Sequence, residues 1–139
     1  MLQALLKPRR AVHAHCDLPC GVYDPAQARI EAESVKAVQQ RYQDPDKFKS
    51  AGETVEDYRA RCLQIKEERA HMVKEHLWVL WTDYFKPEHL EKYPQLHELF
   101  WKATKEAGAA KKSQDPAQGE RLLEAIDEIS KIFWETKAA

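Results

Sequence analysis

Apolar residues recur at steps of three and four along four stretches of this chain, and each stretch predicts an amphipathic helix. The first helix begins at Asp24-Pro25, because Asp is a favoured N-cap and Pro fits the first helical position. It ends near residue 43, where a polar connection begins. The positions expected to face the core are Ile30, Ser34, Ala37, Val38 and Tyr42.

The second helix is the longest of the four. The run Thr54-Val55-Glu56-Asp57 resembles a capping box at its start, and Pro87 ends it. Two positions of its inner seam are polar, and a polar side chain in a core needs a partner, so the seam predicts a buried polar interaction. The seam consists of Val55, Tyr58, Cys62, Ile65, Arg69, Met72, His76 and Val79.

The last two helices are separated by a predicted loop at 109–114. The third helix is expected from residue 94 to about residue 107, with Gly108 as its C-terminal stop. Asp115-Pro116 repeats the N-cap signal of the first helix and begins the fourth. The inward positions of the two helices are Leu96, Leu99, Phe100 and Ala103, then Leu122, Ile126, Ile129 and Phe133.

Four amphipathic helices with short connections are typical of an up-and-down four-helix bundle. The 139 residues are enough for one domain, and the chain has only 4 Gly and no long strand-like alternation. We therefore predict an all-α fold over residues 24–139. No apolar run approaches the ~20 residues that a membrane span requires, so we expect no membrane partner.

Charge argues against a nucleic-acid partner. The net charge of the whole chain is −1. Residues 1–14 contain three basic residues and no acidic one, so residues 15–139 alone have a net charge of −4. A nucleic-acid-binding domain normally presents a basic face, which this acidic body does not predict.

Candidate metal chemistry is concentrated in residues 15–25, ahead of the first helix. His15, Cys16 and Cys20 lie within six residues, and thiolate and imidazole bind soft or borderline transition metals. Pro19 and Gly21 favour a compact loop that a metal could close. The spacing alone leaves two alternatives open, a disulfide between the two cysteines and a zinc site. The third cysteine, Cys62, lies in a helical pattern and is expected to be a buried apolar residue.

The run His15-Cys16-Asp17-Leu18-Pro19-Cys20-Gly21-Val22-Tyr23 resembles the nickel hook of the nickel-containing superoxide dismutase family. The resemblance extends over nearly all of residues 15–139, although the connection at 44–58 is longer than in the family pattern. It implies a nickel-dependent oxidoreductase that converts superoxide to dioxygen and hydrogen peroxide. It also implies a homohexamer. Further matching segments are 24–31, 80–87 and 132–137.

In that family the hook is the N-terminus of the mature protein, so the resemblance implies that residues 1–14 are a leader removed by a processing protease. The hook would then occupy 15–23. Cleavage would give His15 a free α-amine. That amine, the Cys16 backbone nitrogen and the thiolates of Cys16 and Cys20 would supply four donors suited to Ni(II). The His15 imidazole would approach along the axis when the metal is oxidised, and an uncleaved leader would leave the donor set wrong.

The resemblance also assigns supporting roles outside the ligands. Glu31 would hold the axial imidazole with the help of Arg69. Tyr23 and Tyr84 would line the substrate pocket, with the Asp17 carboxylate behind them. Lys86 would lie near the entrance and attract superoxide.

The leader lacks the order of an export signal, because its apolar residues come before its basic ones. We therefore expect a cytoplasmic protein. Two other functions are alternatives. A nickel or copper chaperone, or a metal-sensing helical bundle, would use the same hook without turnover. A di-iron bundle would need two Glu-x-x-His pairs, and Glu68 with His71 provides only one.

Overall fold

The computed structural model describes residues 21–139. The predicted leader, and the predicted hook residues His15, Cys16, Asp17 and Cys20, lie outside the described residues. The described part is all-α, as predicted, and contains six α-helices with no strand in residues 21–139. None of these helices is both long and apolar enough to cross a membrane.

Four long helices form the bundle. They are α1 (Ala26–Gln43), α3 (Val55–Val79), α5 (Leu96–Lys112) and α6 (Pro116–Ala138). Two short helices, α2 (Pro45–Phe48) and α4 (Pro87–Lys92), lie in the connections, and a π-helical turn, Leu80–Tyr84, extends α3. Each long helix packs against the next, and α6 packs back against α1. This is the arrangement of an up-and-down bundle.

Three helix starts are capped where the sequence predicted. Asp24 Oδ1 accepts from the Ala26 amide at 2.8 Å, Thr54 Oγ1 from the Asp57 amide at 3.1 Å, and Asp115 Oδ1 from the Ala117 amide at 2.9 Å. Each bond satisfies a backbone N–H that has no partner within its helix. Local capping chemistry therefore predicts where these helices begin.

The predicted end of the third helix is wrong. Helix α5 continues through Gly108 to Lys112, so only residues 113 and 114 of the predicted loop lie outside it. A helical Gly costs about 1 kcal/mol relative to Ala. Burial of Ala107 and Ala110 in the core offsets that cost, and a Cβ at Gly108 would lie 3.3 Å from Lys74 Nζ.

The core-facing positions agree with the prediction in α6 and depart from it in α1 and α3. All four predicted positions of α6 are fully buried. In α1, Ile30 is 58% exposed, and the helix instead buries Ala28, Glu31, Ala32, Val35 and Gln39. In α3 the prediction holds for Tyr58 and Cys62, after which the seam moves one residue along to Lys66, Ala70, Val73 and Leu77. Steps of three and four describe either seam, and the small alanines let α1 and α3 approach closely.

A close approach also joins α1 to α6. A Cβ added at Gly119 would lie 2.7 Å from the Cβ and 2.8 Å from the Cα of Lys36. The backbone of α1 leaves no room for any side chain at this position. Gly119 therefore sets the spacing between the first and last helices.

Lys66 is a buried cation at the centre of the shifted seam. Its side chain is only 2% exposed, and its ammonium donates to the carbonyl oxygens of Ala110 at 3.0 Å, Lys111 at 2.7 Å and Ser113 at 2.7 Å. These carbonyls end α5 and have no partner within the helix, so Lys66 caps α5 from a neighbouring helix. Burial lowers the pKa of Lys66, because it disfavours the charged form.

We expect Lys66→Met to reduce the free energy of unfolding by about 2–3 kcal/mol, because it removes the donor to the Ala110 and Lys111 carbonyls, whereas the Ser113 carbonyl still accepts from Gln39 Nε2. Urea unfolding at pH 7, followed by circular dichroism, measures the change. Lys102→Met is the matched control, since Lys102 is exposed on α5. An unchanged or increased stability of the Lys66 variant would show that the apolar side chain compensates for the lost cap.

Candidate metal centre and substrate cleft

A cleft of about 320 Å³ lies at the end of the bundle where the described chain begins. We call it the entry cleft. Its lining comes from three separate parts of the sequence: the segment before α1, the end of the π-helical turn with the start of α4, and the last turn of α6. The lining residues are Gly21, Tyr23, Asp83, Tyr84, Lys86, His89 and Lys137.

Gly21 begins the described chain and is the residue directly after Cys20. Its φ is +70°, in the left-handed region that residues with a Cβ rarely adopt. Gly21 belongs both to the predicted hook and to the lining of the entry cleft, and it directly follows the predicted ligand Cys20 in the sequence.

Tyr23 and Tyr84 form one wall of the entry cleft, with ring centroids 5.6 Å apart. The hydroxyl of Tyr84 lies 2.7 Å from Thr136 Oγ1, which itself donates to the Phe133 carbonyl at 2.6 Å. A Thr hydroxyl has a single hydrogen, so Tyr84 must be the donor in this pair. The phenol of Tyr84 is thus fixed against α6.

Aromatic packing behind Tyr84 holds this wall in place. The Tyr84 ring lies 4.3 Å from that of Phe133 and 5.0 Å from that of Phe85, which is buried. His89 stacks on Tyr84 at 5.8 Å, and its Nδ1 accepts from the Lys86 amide at 3.2 Å. The start of α4 and the phenol wall therefore form one packed unit.

The charge of the entry cleft favours anions. Lys86 and Lys137 line it with one carboxylate, that of Asp83. The Lys137 ammonium lies 3.5 Å from the Gly21 carbonyl oxygen and 5.2 Å from the Tyr84 ring centroid. Two cations against one anion give a positive potential in a concave site, which raises the local concentration of a small anion.

Glu31 and Arg69, which the family resemblance places in one network, form an ion pair between α1 and α3. Arg69 Nη1 donates to the two Glu31 carboxylate oxygens at 3.3 Å and 3.1 Å. Glu31 is 9% exposed. It lies five residues into α1, about 7.5 Å along the helix from its start beside the entry cleft. The pair therefore fits the predicted role of orienting a group near the hook, which stays a prediction.

Within residues 21–139 no group of three or more His, Cys, Asp or Glu side chains is placed to hold a metal ion. Cys62 is buried and unpaired in α3, as expected. Glu68 and His71 are exposed on α3, and His71 pairs with Glu75 at 3.4 Å, so the bundle interior does not contain the di-iron arrangement at these residues. His15, Cys16 and Cys20 stay the predicted metal ligands and lie outside the described residues.

The structure brings together Tyr23, Tyr84 and Lys86 in the entry cleft, and Glu31 with Arg69 in the ion pair. Sequence reasoning missed three lining residues, Asp83, His89 and Lys137, of which Asp83 lies in the matching segment 80–87. The available signal for Lys137 was the matching segment 132–137, which ends at this lysine. His89 gave no signal, because a histidine near a helix start is more often a surface residue.

Comparison with known proteins gives one consistent result. The family model described as nickel-containing superoxide dismutase matches residues 10–137. The nickel superoxide dismutases of Streptomyces coelicolor and Streptomyces seoulensis are 56% and 55% identical to this chain over 139 residues, and each comparison covers 100% of this chain and 100% of the relative. A native nickel superoxide dismutase structure is similar with a TM-score of 0.80 and 57% identity, covering 90% of this chain and 100% of its own.

Proposed function

The chain belongs to the nickel-containing superoxide dismutase family, and from this membership we propose that residues 15–23 form the hook that holds its nickel. The protein is an oxidoreductase that converts two superoxide ions and two protons to dioxygen and hydrogen peroxide. The observation that carries the assignment of the site is the entry cleft. It has a cationic, phenol-lined wall that begins at the residue following Cys20.

His15, Cys16 and Cys20 fit the metal by the chemistry of their donors. Two thiolates, an imidazole and the α-amine of a chain beginning at His15 form a set suited to nickel rather than to a hard cation. The bound metal supplies a one-electron couple between Ni(II) and Ni(III). Gly21, whose φ is +70°, directly follows Cys20 in the sequence, and residues 21–139 contain no other group of three or more possible metal ligands.

The other residues bind and orient. Lys86 and Lys137 attract the superoxide anion into the entry cleft. Tyr23 and Tyr84 would narrow the entry cleft, so that a small anion would enter and larger ones would not. Asp17 would contribute the carboxylate behind the phenols. Glu31 would hold the His15 imidazole, with Arg69 fixing the Glu31 carboxylate.

We propose that a processing protease cuts between Ala14 and His15. The full-length curated relatives cover all of this chain, whereas the native solved chain covers 90% of it in matching 100% of its own length. Ninety per cent of 139 residues is about 125, which is the length of residues 15–139. This number of residues is the one expected of a mature protein that begins at His15.

We propose a cytoplasmic homohexamer. The resemblance of the chain to this family suggests the hexamer, and the exposed surface of the chain is compatible with such an assembly. Large aromatic side chains are unusually exposed on the isolated chain, and such apolar surface is typical of protein contacts. The exposed fractions are 65% for Trp101, 51% for Trp134, 41% for Trp78 and 38% for Trp81.

The function is tested by measuring superoxide consumption by protein that begins at His15, with and without nickel. Consumption only by the nickel-loaded protein supports the assignment. Nickel binding without any consumption would favour the chaperone instead.

We expect Glu31→Gln to lower kcat/KM for superoxide by about 10–100-fold, the usual effect of removing a group that orients a metal ligand. Stopped-flow kinetics measure the rate, and electron paramagnetic resonance of the oxidised metal reports whether the axial imidazole is still bound. Glu33→Gln is the matched control, because Glu33 is an exposed carboxylate of α1 that pairs with Arg29. An unchanged spectrum with a lowered rate would contradict the orienting role.

A further inference from the structure

A second concavity, about 670 Å³ in volume, lies between α3 and α5. We call it the lysine groove, because Lys74 of α3 and Lys105, Lys111 and Lys112 of α5 all line it. Among the lining residues that the structure describes, the only carboxylate is that of Glu67, and none of them also lines the entry cleft. The lysine groove is therefore a separate place on the bundle, with an excess of three positive charges.

Most of these cations have no counterion within residues 21–139. Lys111 Nζ pairs with Glu67 at 3.3 Å, whereas no described carboxylate lies within 4 Å of the ammonium groups of Lys74, Lys105 and Lys112. Residues 15–139 as a whole have a net charge of −4. The excess of cations in the lysine groove thus runs against the charge of the protein, and such a concave, single-signed surface attracts anions.

Lys74 holds its charge against the backbone of α5. A Cβ added at Gly108 would lie 3.3 Å from Lys74 Nζ and 3.7 Å from Lys74 Cε, so the lysine side chain crosses from α3 and lies over α5 at this glycine. The absence of a side chain at Gly108 leaves the space that the ammonium occupies. The charge of Lys74 is therefore placed between the two helices, where a ligand lying along the groove would meet it.

Lys66 reduces the electrostatic obstacle to an anion at this end of α5. The C-terminus of a helix has a partial negative charge, which would repel an anion beside Lys111 and Lys112. The buried ammonium of Lys66 donates to the carbonyls of Ala110, Lys111 and Ser113 and so provides this end with a cation from inside the bundle. Lys111 and Lys112 are thus not required as caps, and their charges are available to the lysine groove.

The chemistry of the described lining favours phosphate groups. Lysine binds phosphate as a compact point charge with three donors, whereas carboxylates are matched by the planar fork of arginine, and no arginine is among these lining residues. The hydroxyl of Thr104 adds a neutral donor. Lys105 and Lys112 lie seven residues apart, or about 10 Å along α5, so the cations extend over more than one phosphate group. A chain of linked phosphates matches this length.

The described lining fits a protein or nucleic-acid partner less well. Ala109 is the only apolar side chain in it, whereas protein partners usually anchor through apolar or aromatic side chains held in pockets. It also contains no aromatic ring on which a nucleic-acid base would stack. The volume of the groove is within the range of about 300–1,000 Å³ that is typical of small-molecule sites.

We propose that the lysine groove binds an oligophosphate, a molecule with two or more linked phosphate groups, through the ammonium groups of Lys74, Lys105, Lys111 and Lys112. An inorganic phosphate chain and the phosphate tail of a nucleotide share this chemistry. The bound ligand bridges α3 and α5, so it stabilises the folded bundle in proportion to its occupancy. Binding does not depend on the nickel site.

The test titrates inorganic tripolyphosphate into the full-length chain by isothermal titration calorimetry at about 0.1 M salt, where the Debye length is about 10 Å. Orthophosphate, ATP and poly-glutamate are the comparison ligands. The variant Lys74→Gln/Lys112→Gln removes two charges from the groove. Lys102→Gln/Lys131→Gln is the matched control, because it removes two charges from exposed lysines outside the groove. Lys74→Arg/Lys112→Arg retains both charges.

We expect tripolyphosphate to bind at least about tenfold more tightly than orthophosphate and to raise the melting temperature of the chain. Lys74→Gln/Lys112→Gln should weaken its binding about tenfold, the effect of losing two partly exposed charge contacts, whereas the control and the arginine variant should bind it as the unsubstituted chain does. Equal binding of ATP and tripolyphosphate would show that the phosphate chain alone is recognised, and tighter binding of ATP would identify a nucleotide as the source.

Three results would overturn the proposal. The first is no binding of tripolyphosphate, and the second is the same loss of affinity in the glutamine variant and its control. The third is tighter binding of poly-glutamate, or a changed oligomeric state of the glutamine variant with unchanged tripolyphosphate affinity, either of which would make the groove a protein contact. The comparison among ligands uses only the unsubstituted chain, so it decides the question even where a variant folds poorly.

Discussion

Nickel-loaded protein that retains residues 1–14 is expected to consume no superoxide above the uncatalysed rate, whereas the same protein beginning at His15 is expected to be fully active. With the leader attached, the nitrogen of His15 is an amide, which is a far weaker donor than a free amine. The loss should reach at least about a thousandfold, equal to about 4 kcal/mol of transition-state stabilisation. Superoxide consumption and the electron paramagnetic resonance signal of Ni(III) measure the difference.

A chain beginning at Ala14 is the matched control for the leader, because it has a free amine displaced by one residue. It should resemble the full-length protein. If the full-length or the Ala14 form is as active as the His15 form, the α-amine of His15 is not a ligand and the proposed donor set is wrong. If all three bind nickel and none is active, the chain is better explained as a metal carrier.

The second large effect is expected from the two hook cysteines. Cys16→Ser and Cys20→Ser each replace a thiolate with a neutral hydroxyl, which is a hard and weak donor for nickel. We expect each variant to lose activity by about a thousandfold or more, with the Ni(III) signal absent. The fold should be unchanged, because both residues precede the helices that form the core.

Cys62→Ala is the control for the cysteine substitutions. Cys62 is buried between helices in α3 and takes no part in the proposed chemistry. This variant should lose some stability, because it leaves a small cavity, but should retain nickel and activity per folded protein. Retained activity in Cys16→Ser, together with lost activity in Cys62→Ala, would place the metal elsewhere in the chain.

The parts of the fold that could be predicted from the sequence are those set by local chemistry. The caps at Asp24, Thr54 and Asp115 and the apolar stripe of α6 depend on nearby residues, and the structure confirms them. The seam of α3 could not be predicted. Lys66 is drawn into the core by the carbonyls at the end of α5, which are distant in sequence. Tertiary packing likewise lets helix α5 continue past its predicted end at Gly108.

The candidate site also has residues that could be predicted from the sequence and residues that could not. The resemblance predicted that Glu31 would meet Arg69 and that Tyr23, Tyr84 and Lys86 would share a cleft, and the structure places them so. Their roles stay predictions, as do those of the hook residues. Lys137 was missed because its contact with Gly21 exists only when the last helix lies beside the start of the first.

The entry cleft is assembled from segments that are far apart in the chain, and this sets an order of events. Gly21, Tyr84 and Lys137 meet only after α1, α3 and α6 have packed, since closing such long loops costs entropy that the packed core must offset. An unfolded chain would present its thiols to nickel and to oxidants with no wall beside them. We therefore expect metal insertion to follow folding, with the packed bundle as the surface against which the N-terminal segment is ordered.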